Sequence, residues 1–322
     1  MEKEGKLNKK VVIVGAGMMG SGIAAIASLA GNRAILVSRS IDSARKGRQK
    51  AVDCISELVD NGLADSDNGE LAKSRIETGD SLESAVQDDA SMVIESIYEN
   101  LEQKRQLFAT LDRLLPANVP IMSNTSGIQI TKIAALAERH PERTMTAHFW
   151  LPAHLTPLVE VVMWEKTNPA MAISVKEELA AWGKAPVIVR RDLPGQLANR
   201  MFQALIREAI SIVETGLASP EDVDMAIKMG MGIRFPVWGP LEHIDAVGLD
   251  LCLTVQETVL PDISKEEGSE YLGTLIKQGN LGYKTGHGIY DWTKKNMDEL
   301  LAKRNDFIIH TLKRLRKGNN EN

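Results

Sequence analysis

Near the start of the chain the residues Val11-Val12-Ile13-Val14 form a short apolar run rich in β-branched side chains. This predicts a strand buried on both faces. The small, apolar stretch Ser21 to Ala30 predicts a helix packed tightly on a sheet, and Asn32 to Val37 a second strand. Helical spacing recurs over Ser40 to Leu63 and Glu99 to Leu115, while Val93-Ile94 and Pro120 to Met122 end further strands. Thr144 to Val162 reads as two strands joined by a proline-bearing loop, and Pro186 to Val189 as a last short one. This alternation predicts an α/β fold built on a parallel, doubly wound sheet. The pattern changes after Asp192-Leu193-Pro194-Gly195. Leu197 to Thr215 is a long helical run closed by Gly216, and Ser219-Pro220-Glu221-Asp222 starts another helix, with serine as the cap and proline in the first turn. The expected division is a sheet domain over residues 1–193 and an all-helical domain over 194–322.

A length of 322 residues allows two domains of ordinary size. With 38 basic and 43 acidic side chains, the net charge of −5 supplies no basic field, which argues against nucleic acid as a partner. No apolar run reaches about 18 residues, so no membrane-spanning helix is expected. The opening MEKEGKLNKK has no apolar core of the signal-peptide kind. The two cysteines, Cys54 and Cys252, make neither a disulfide framework nor a metal cluster, and the expected compartment is a reducing cytosol. The basic stretch around Lys313, Arg314, Arg316 and Lys317 reads as a solvated helix face.

The candidate chemistry begins at Gly15-Ala16-Gly17-Met18-Met19-Gly20, a GxGxxG sequence between the first strand and the first helix. Gly15 permits the tight turn, Gly17 a close approach of backbone to a pyrophosphate, and Gly20 close packing of helix on strand. The loop and the helix N-terminus, at Met18 and Met19, offer amides to the phosphates. This makes the sheet domain a Rossmann-type, dinucleotide-binding one. At the end of the second strand, where a carboxylate usually binds the ribose 2′-hydroxyl of NAD, the chain has Ser38-Arg39. A hydroxyl and a guanidinium can both bind a 2′-phosphate, so the cofactor is NAD or NADP, with NADP favoured and Arg33 as a further candidate contact. Ser123-Asn124-Thr125-Ser126 follows another strand end. Glu160 stands in the apolar run Leu158 to Val162, where a carboxylate needs a partner, and His148 is the nearest candidate to supply one. A carboxylate behind an imidazole is the arrangement of a general base, although a satisfied core pair would look the same in sequence.

Together these residues resemble the L-3-hydroxyacyl-CoA dehydrogenase family. The matching segments are GAGMMG at 15–20, YENLEQK at 98–104, SNTS at 123–126, HFWLP at 148–152, LVEVV at 158–162, PGQLANR at 194–200, GPLEHIDAVGLD at 239–250 and GYKTGHGIYDW at 282–292. The resemblance implies an NAD(P)-dependent oxidoreductase with a helical second domain that forms a homodimer. It implies His148 as catalytic base, Glu160 as its orienting partner, Ser126 as a contact to substrate oxygen and cofactor, and Asn199 completing the site. It also implies Glu99 and Lys104 beside the nicotinamide ribose.

Three departures bear on the substrate and the nucleotide. Ser38 replaces the usual aspartate, Leu151 stands where the family pattern HFFNP has asparagine, and Ile41 to Ser81 carries no lysine-rich insertion of the kind that binds CoA. Lys46, Arg48 and Lys50 remain there, on a helix where such charges read as solvated. The substrate is therefore either an L-3-hydroxyacyl-CoA or a small free 3-hydroxy acid. Two rival readings stand beside this one. A 6-phosphogluconate-type dehydrogenase would use a lysine base after the linker, where this chain has Asn199-Arg200. A non-catalytic, crystallin-like NADP-binding protein would have no need of His148, Glu160, Ser126 and Asn199 together.

Overall fold

Short apolar runs alternating with capped helices build one eight-stranded sheet in this computed structural model, which describes residues 9–320 other than Asp88 and side chains as far as Arg316. Residues 1–8 and the Lys317 side chain, which figure in the sequence reading, lie outside the described residues. Two units emerge: the residues up to Leu197 together with those from Ile308 onward, and Ala198–Phe307.

The first unit opens with β1 (Lys10–Val14), every residue of it buried, and α1 (Met18–Leu29). Glycine, alanine and serine fill much of the buried face of α1, so the helix lies close against its neighbours. β2 (Arg33–Val37) leads into α2 (Ile41–Asp60), where the Ser40 hydroxyl accepts from the Ser43 amide as N-cap. Then come α3 (Ser66–Ser74), β3 (Ile76–Gly79), α4 (Leu82–Val86), β4 (Ala90–Glu95) and α5 (Leu101–Leu114), whose N-cap is Asn100. β5 (Ile121–Ser123), the short α6 (Ile130–Ile133), β6 (Thr144–Phe149), β7 (Leu158–Val162), α7 (Pro169–Ala181) and β8 (Ala185–Val189) complete the layer order.

The strand order is β3-β2-β1-β4-β5-β6-β7-β8. Order reverses between β1 and β4, and an open sheet of this kind places its ligand crevice outside the strand ends at that switch point. Two apolar clusters cover the two faces. One gathers Ile23, Leu36, Ile55, Ile94, Val161 and Leu179, the other Val12, Val93, Phe108, Leu111, Ile121 and Ile130.

The predicted sheet is parallel throughout, and the structure corrects this at one edge. β6 and β7 pair antiparallel, so β7 and β8 run against the other six strands. A connection of only eight residues between Phe149 and Leu158 explains this, because a parallel return needs a crossover of a dozen or more. β3, four residues at the sheet edge, went unread; Ile76 is its one buried residue.

The second unit contains α8 (Ala198–Glu214), α9 (Pro220–Ala226), a π-helical turn at Ile227–Gly232, α10 (Pro240–Val247), α11 (Leu249–Val259) and α12 (Glu270–Lys277). Ser219 caps α9 and Pro220 opens it, as the sequence predicts. No residue of α8 to α12 is buried within the chain, and Leu217, Val237 and Leu241 are at least three-quarters exposed. The last helix, α13 (Met297–Asn320), contributes its residues from Ile308 to the first unit, where Ile309 is 4% exposed in the core.

Candidate functional site

The end of β1 and the end of β4 meet at the switch point, where the Ser96 amide donates to the Val14 carbonyl at 2.7 Å. Gly15 turns there with φ +117°, and a Cβ on it would fall 2.3 Å from the Ser96 carbonyl oxygen. A Cβ on Gly20 would fall 1.9 Å from the Gly15 carbonyl oxygen. These two glycines are demanded by the protein itself. Gly17 is different. It is the N-cap of α1 with no side-chain cap, and a Cβ on it would meet nothing within 4 Å. The open space over Gly17 and the uncapped N-terminus, with Met18 exposed, make a cradle shaped for a phosphate.

Ser38 directly follows β2 and is half-buried, its amide donating to the Gly79 carbonyl at 3.1 Å. Arg39 is exposed, and its side chain makes no hydrogen bond among the described residues. Arg33 does not belong with them. It begins β2, roughly 16 Å of extended chain from Ser38. Its guanidinium instead pairs with Glu77 at 3.0 Å and Asp89 at 3.5 Å. Arg48 is likewise no free charge on a solvated helix, since it donates to the Ile76 and Lys73 carbonyls and so holds the start of β3.

Beside the switch point lies a buried ionic cluster. The Glu95 carboxylate, at the end of β4 and 0% exposed, accepts from the Lys104 ammonium at 2.6 Å, the Ser123 hydroxyl at 2.6 Å and the Ile97 amide at 2.7 Å. Lys104, itself buried on α5, also pairs with Glu99 at 3.2 Å. Glu99 accepts from the Thr125 hydroxyl and the Gly127 amide. Burial by itself would raise the Glu99 carboxyl pKa. The Thr125 hydrogen bond, the Lys104 charge and the Gly127 amide outweigh that and hold it below the ordinary value. The resemblance implies Glu99 and Lys104 as a pair beside the cofactor. The structure ties both into the loops that frame the crevice, with the Lys104 amine committed to two carboxylates. Glu95 escaped the sequence reading, which stopped this strand at Ile94.

His148 and Glu160 are directly opposite each other in the antiparallel β6–β7 ladder, so the pleat puts both side chains on one face. The His148 Nδ1 lies 2.8 Å from Glu160 Oε2, with the ring 5% and the carboxylate 0% exposed. The Trp150 indole N–H donates to the same Oε2 at 3.0 Å, and the Leu197 amide to Oε1 at 2.9 Å. Three N–H donors therefore converge on a buried carboxylate, which in its ionised form can only accept. With Nδ1 engaged, Nε2 is the nitrogen left for chemistry, and the Ser126 hydroxyl stands 3.1 Å from it. Asn124 locks the surrounding strand ends, accepting from the Phe149 amide at 2.8 Å and donating to the Ser96 hydroxyl at 3.2 Å. Asn199 is the second residue of α8 and belongs to the second unit. Trp150 carries a role that went unread, although the signal was present: it stands two residues after His148, on the same face by strand periodicity, and carries an N–H that phenylalanine lacks.

Among the described residues no group of three or more His, Cys, Asp or Glu side chains could hold a metal ion. Burial pushes the Cys54 thiol up to about 12, which removes it as a nucleophile. No described helix is long and apolar enough to cross a membrane.

Comparison with known proteins adds an independent line. Residues 10–193 match the family described as 3-hydroxyacyl-CoA dehydrogenase, NAD binding domain, and residues 195–292 match 3-hydroxyacyl-CoA dehydrogenase, C-terminal domain. The chain is 36% identical over 289 residues to a probable 3-hydroxybutyryl-CoA dehydrogenase of Bacillus subtilis strain 168, covering 89% of this chain and 98% of that protein. It is 31% identical over 300 residues to the 5-formyl-3-hydroxy-2-methylpyridine 4-carboxylate 5-dehydrogenase of Mesorhizobium japonicum, covering 92% and 94%. A solved structure of such a pyridine-carboxylate 5-dehydrogenase, described as an NAD+ dependent dismutase, superposes with a TM-score of 0.86 at 30% identity, covering 97% of this chain and 98% of that one.

The glycine loop separates two kinds of constraint. Gly17→Ala should fold with stability within about 1 kcal/mol of the parent, as an uncapped N-cap position allows. It should weaken NADH binding at least about tenfold by filling the phosphate cradle. Gly20→Ala, which collides with backbone, should lower the melting temperature in the absence of nucleotide. Thermal melts and NADH fluorescence titrations of the two variants check both outcomes.

Proposed function

This chain belongs to the 3-hydroxyacyl-CoA dehydrogenase family, and on that premise we propose that it oxidises, reversibly, a hydroxyl on the carbon β to a carboxyl-derived group, with His148 as general base. The observation that carries this reading is the hydrogen-bonded chain Ser126–His148–Glu160, at 3.1 Å and 2.8 Å, with the buried carboxylate on Nδ1 and an exposed hydroxyl at Nε2.

The cofactor fits the residues present. Gly15, Gly17 and the amides of Met18 and Met19 would hold its pyrophosphate, with Ser38 and Arg39 at the adenosine ribose and Glu99 and Lys104 shaping the crevice nearer the nicotinamide. When bound, the nicotinamide supplies a hydride acceptor or donor. The rest is the work of this chain. In oxidation, His148 Nε2 takes the substrate hydroxyl proton. The Glu160 carboxylate holds the Nδ1–H tautomer and stabilises the imidazolium that results. In reduction the same nitrogen returns the proton to the developing alkoxide. The Ser126 hydroxyl, already within reach of Nε2, donates to that oxygen, and Asn199 of the second unit is proposed to do the same. One such donor is typically worth about 2.7–4 kcal/mol.

The nucleotide preference and the substrate tail are the finer parts of the proposal. NADP preference is supported by the missing carboxylate after β2 and by the exposed, unengaged Arg39. A small free hydroxy acid is supported by the likeness to the pyridine-carboxylate enzyme over nearly the whole chain and by Arg48 being bound to backbone carbonyls. A homodimer is supported by the second unit, whose helices α8 to α12 bury none of their residues within one chain; Met201 and Phe202 of α8 are about half exposed.

His148→Gln should fold and bind NADH yet lose about 10²–10⁴-fold in kcat, the ordinary contribution of a general base. A panel of 3-hydroxy acids and their CoA thioesters checks this, and near-normal turnover by the variant would remove His148 from the reaction. Arg39→Ala should lower kcat/KM for NADP at least about tenfold and leave NAD within about twofold. A parent enzyme that prefers NAD, with a preference indifferent to this substitution, would overturn the reading. Light scattering should give a mass near twice that of one chain.

A further inference from the structure

A cavity of about 430 Å³ opens in the first unit, away from the dinucleotide crevice. Its walls come from the last turns of α1 and α2, the loop after β6, the turn between α7 and β8, and α13. Leu29, on its wall, is eleven residues along α1 from Met18, roughly 16 Å at the helical rise. The size lies within the range of about 300–1,000 Å³ typical of small-molecule sites.

The lining is apolar over most of its area, with Ile26, Leu29, Leu58, Leu155 and Leu312 among its residues. Against this stand three basic side chains. Lys184, 8% exposed, spends two N–H donors on the Ala153 and Thr156 carbonyls. Arg316, from α13, donates to the Leu63 carbonyl at 2.6 Å. His154 pairs with Glu57 of α2 at 2.8 Å. Neither Lys184 nor Arg316 meets a carboxylate among the described residues. A buried lysine carries three donors, so one remains. Lys184 is therefore a buried amine on an apolar wall with no carboxylate partner among the described residues, and the exposed Arg316 adds a second positive charge at the same cavity.

We propose that this cavity is a binding site for an amphiphilic carboxylate, its head group between Lys184 and Arg316 and its aliphatic chain among the leucines. Charge complementarity selects the head and the apolar lining selects the tail. The proposal does not depend on the reaction proposed above. Lys184 registers occupancy. Burial first, and the nearby Arg316 charge second, bring its pKa down to about 7. The other titratable groups facing it are His154 and, behind His154, Glu57. Burial pushes the His154 pKa down, and the Lys184 charge adds to that against the lift from Glu57. At about pH 8 the Lys184 amine is mostly neutral in the empty cavity. An arriving carboxylate favours the ammonium, and the amine takes up a proton.

Calorimetric titration of decanoate into the full-length protein at about pH 8, repeated in buffers of different ionisation enthalpy, tests this. The expected result is one site per chain with proton uptake approaching about one per ligand. Decanol, which has the tail without the charge, should bind at least about tenfold more weakly. Lys184→Met should weaken decanoate by at least about tenfold and abolish the proton uptake. Ala181→Phe, at an exposed position on the cavity wall, should block binding while leaving the melting temperature unchanged. Saturating NADH should leave decanoate affinity within about twofold. Absence of binding, equal binding of decanoate and decanol, affinity indifferent to Lys184→Met, or displacement by NADH would each overturn the proposal.

Discussion

A carboxylate with no exposed surface in the middle of an apolar strand has to be saturated or the strand cannot be buried. Glu160 meets that demand with the imidazole of His148, the indole of Trp150 and the backbone amide of Leu197. Each donor comes from a different structural device. The antiparallel ladder supplies the first, the continuation of β6 the second and the end of the sheet unit the third. The reversal of direction at β7 is therefore more than a topological irregularity, because it sets the histidine opposite the glutamate in a connection of eight residues.

Glu95 repeats this solution at the neighbouring strand ends, with an ammonium in place of the imidazole. A lone buried carboxylate at either place would cost several kcal/mol. Glu95 ends β4 and Glu160 lies opposite His148 near the end of β6, and both organise hydroxyl-bearing loops. Ser123 binds Glu95, Thr125 binds Glu99, and Ser126 reaches His148. The segment from 123 to 126 thus links the ionic cluster under the crevice to the imidazole that does the proposed chemistry.

Much of this was legible in the residues. The GxGxxG loop, the strand-helix alternation and the helical character beyond the linker follow from local pattern, and local pattern is what a sequence displays. The His148–Glu160 pairing was readable because an apolar strand cannot hide an acid without leaving a clue. The failures have a common physical origin. Arg33 sits five positions before Ser38 in sequence, yet an extended strand carries that interval across the sheet, so nearness in sequence was distance in space. Arg48 looked like a surface charge because its acceptors, the Ile76 and Lys73 carbonyls, are backbone atoms that no residue name reveals. Trp150 looked like another aromatic in an apolar motif until its N–H had somewhere to point. The antiparallel edge required counting the residues of a loop against the length of a crossover.

The terminal helix was read as a solvated basic face, and its polar residues concealed what its apolar ones do. Ile309 enters the core of the first unit, with Ile308 and Leu312 packed against the same cluster. On the ribosome this has a consequence for the order of events. The nucleotide-binding unit is translated first but lacks a piece of its own interior until every residue of the helical unit has been made. Its final consolidation must wait for the last helix, so a premature stop codon ahead of Ile309 leaves a wound in the oldest part of the chain.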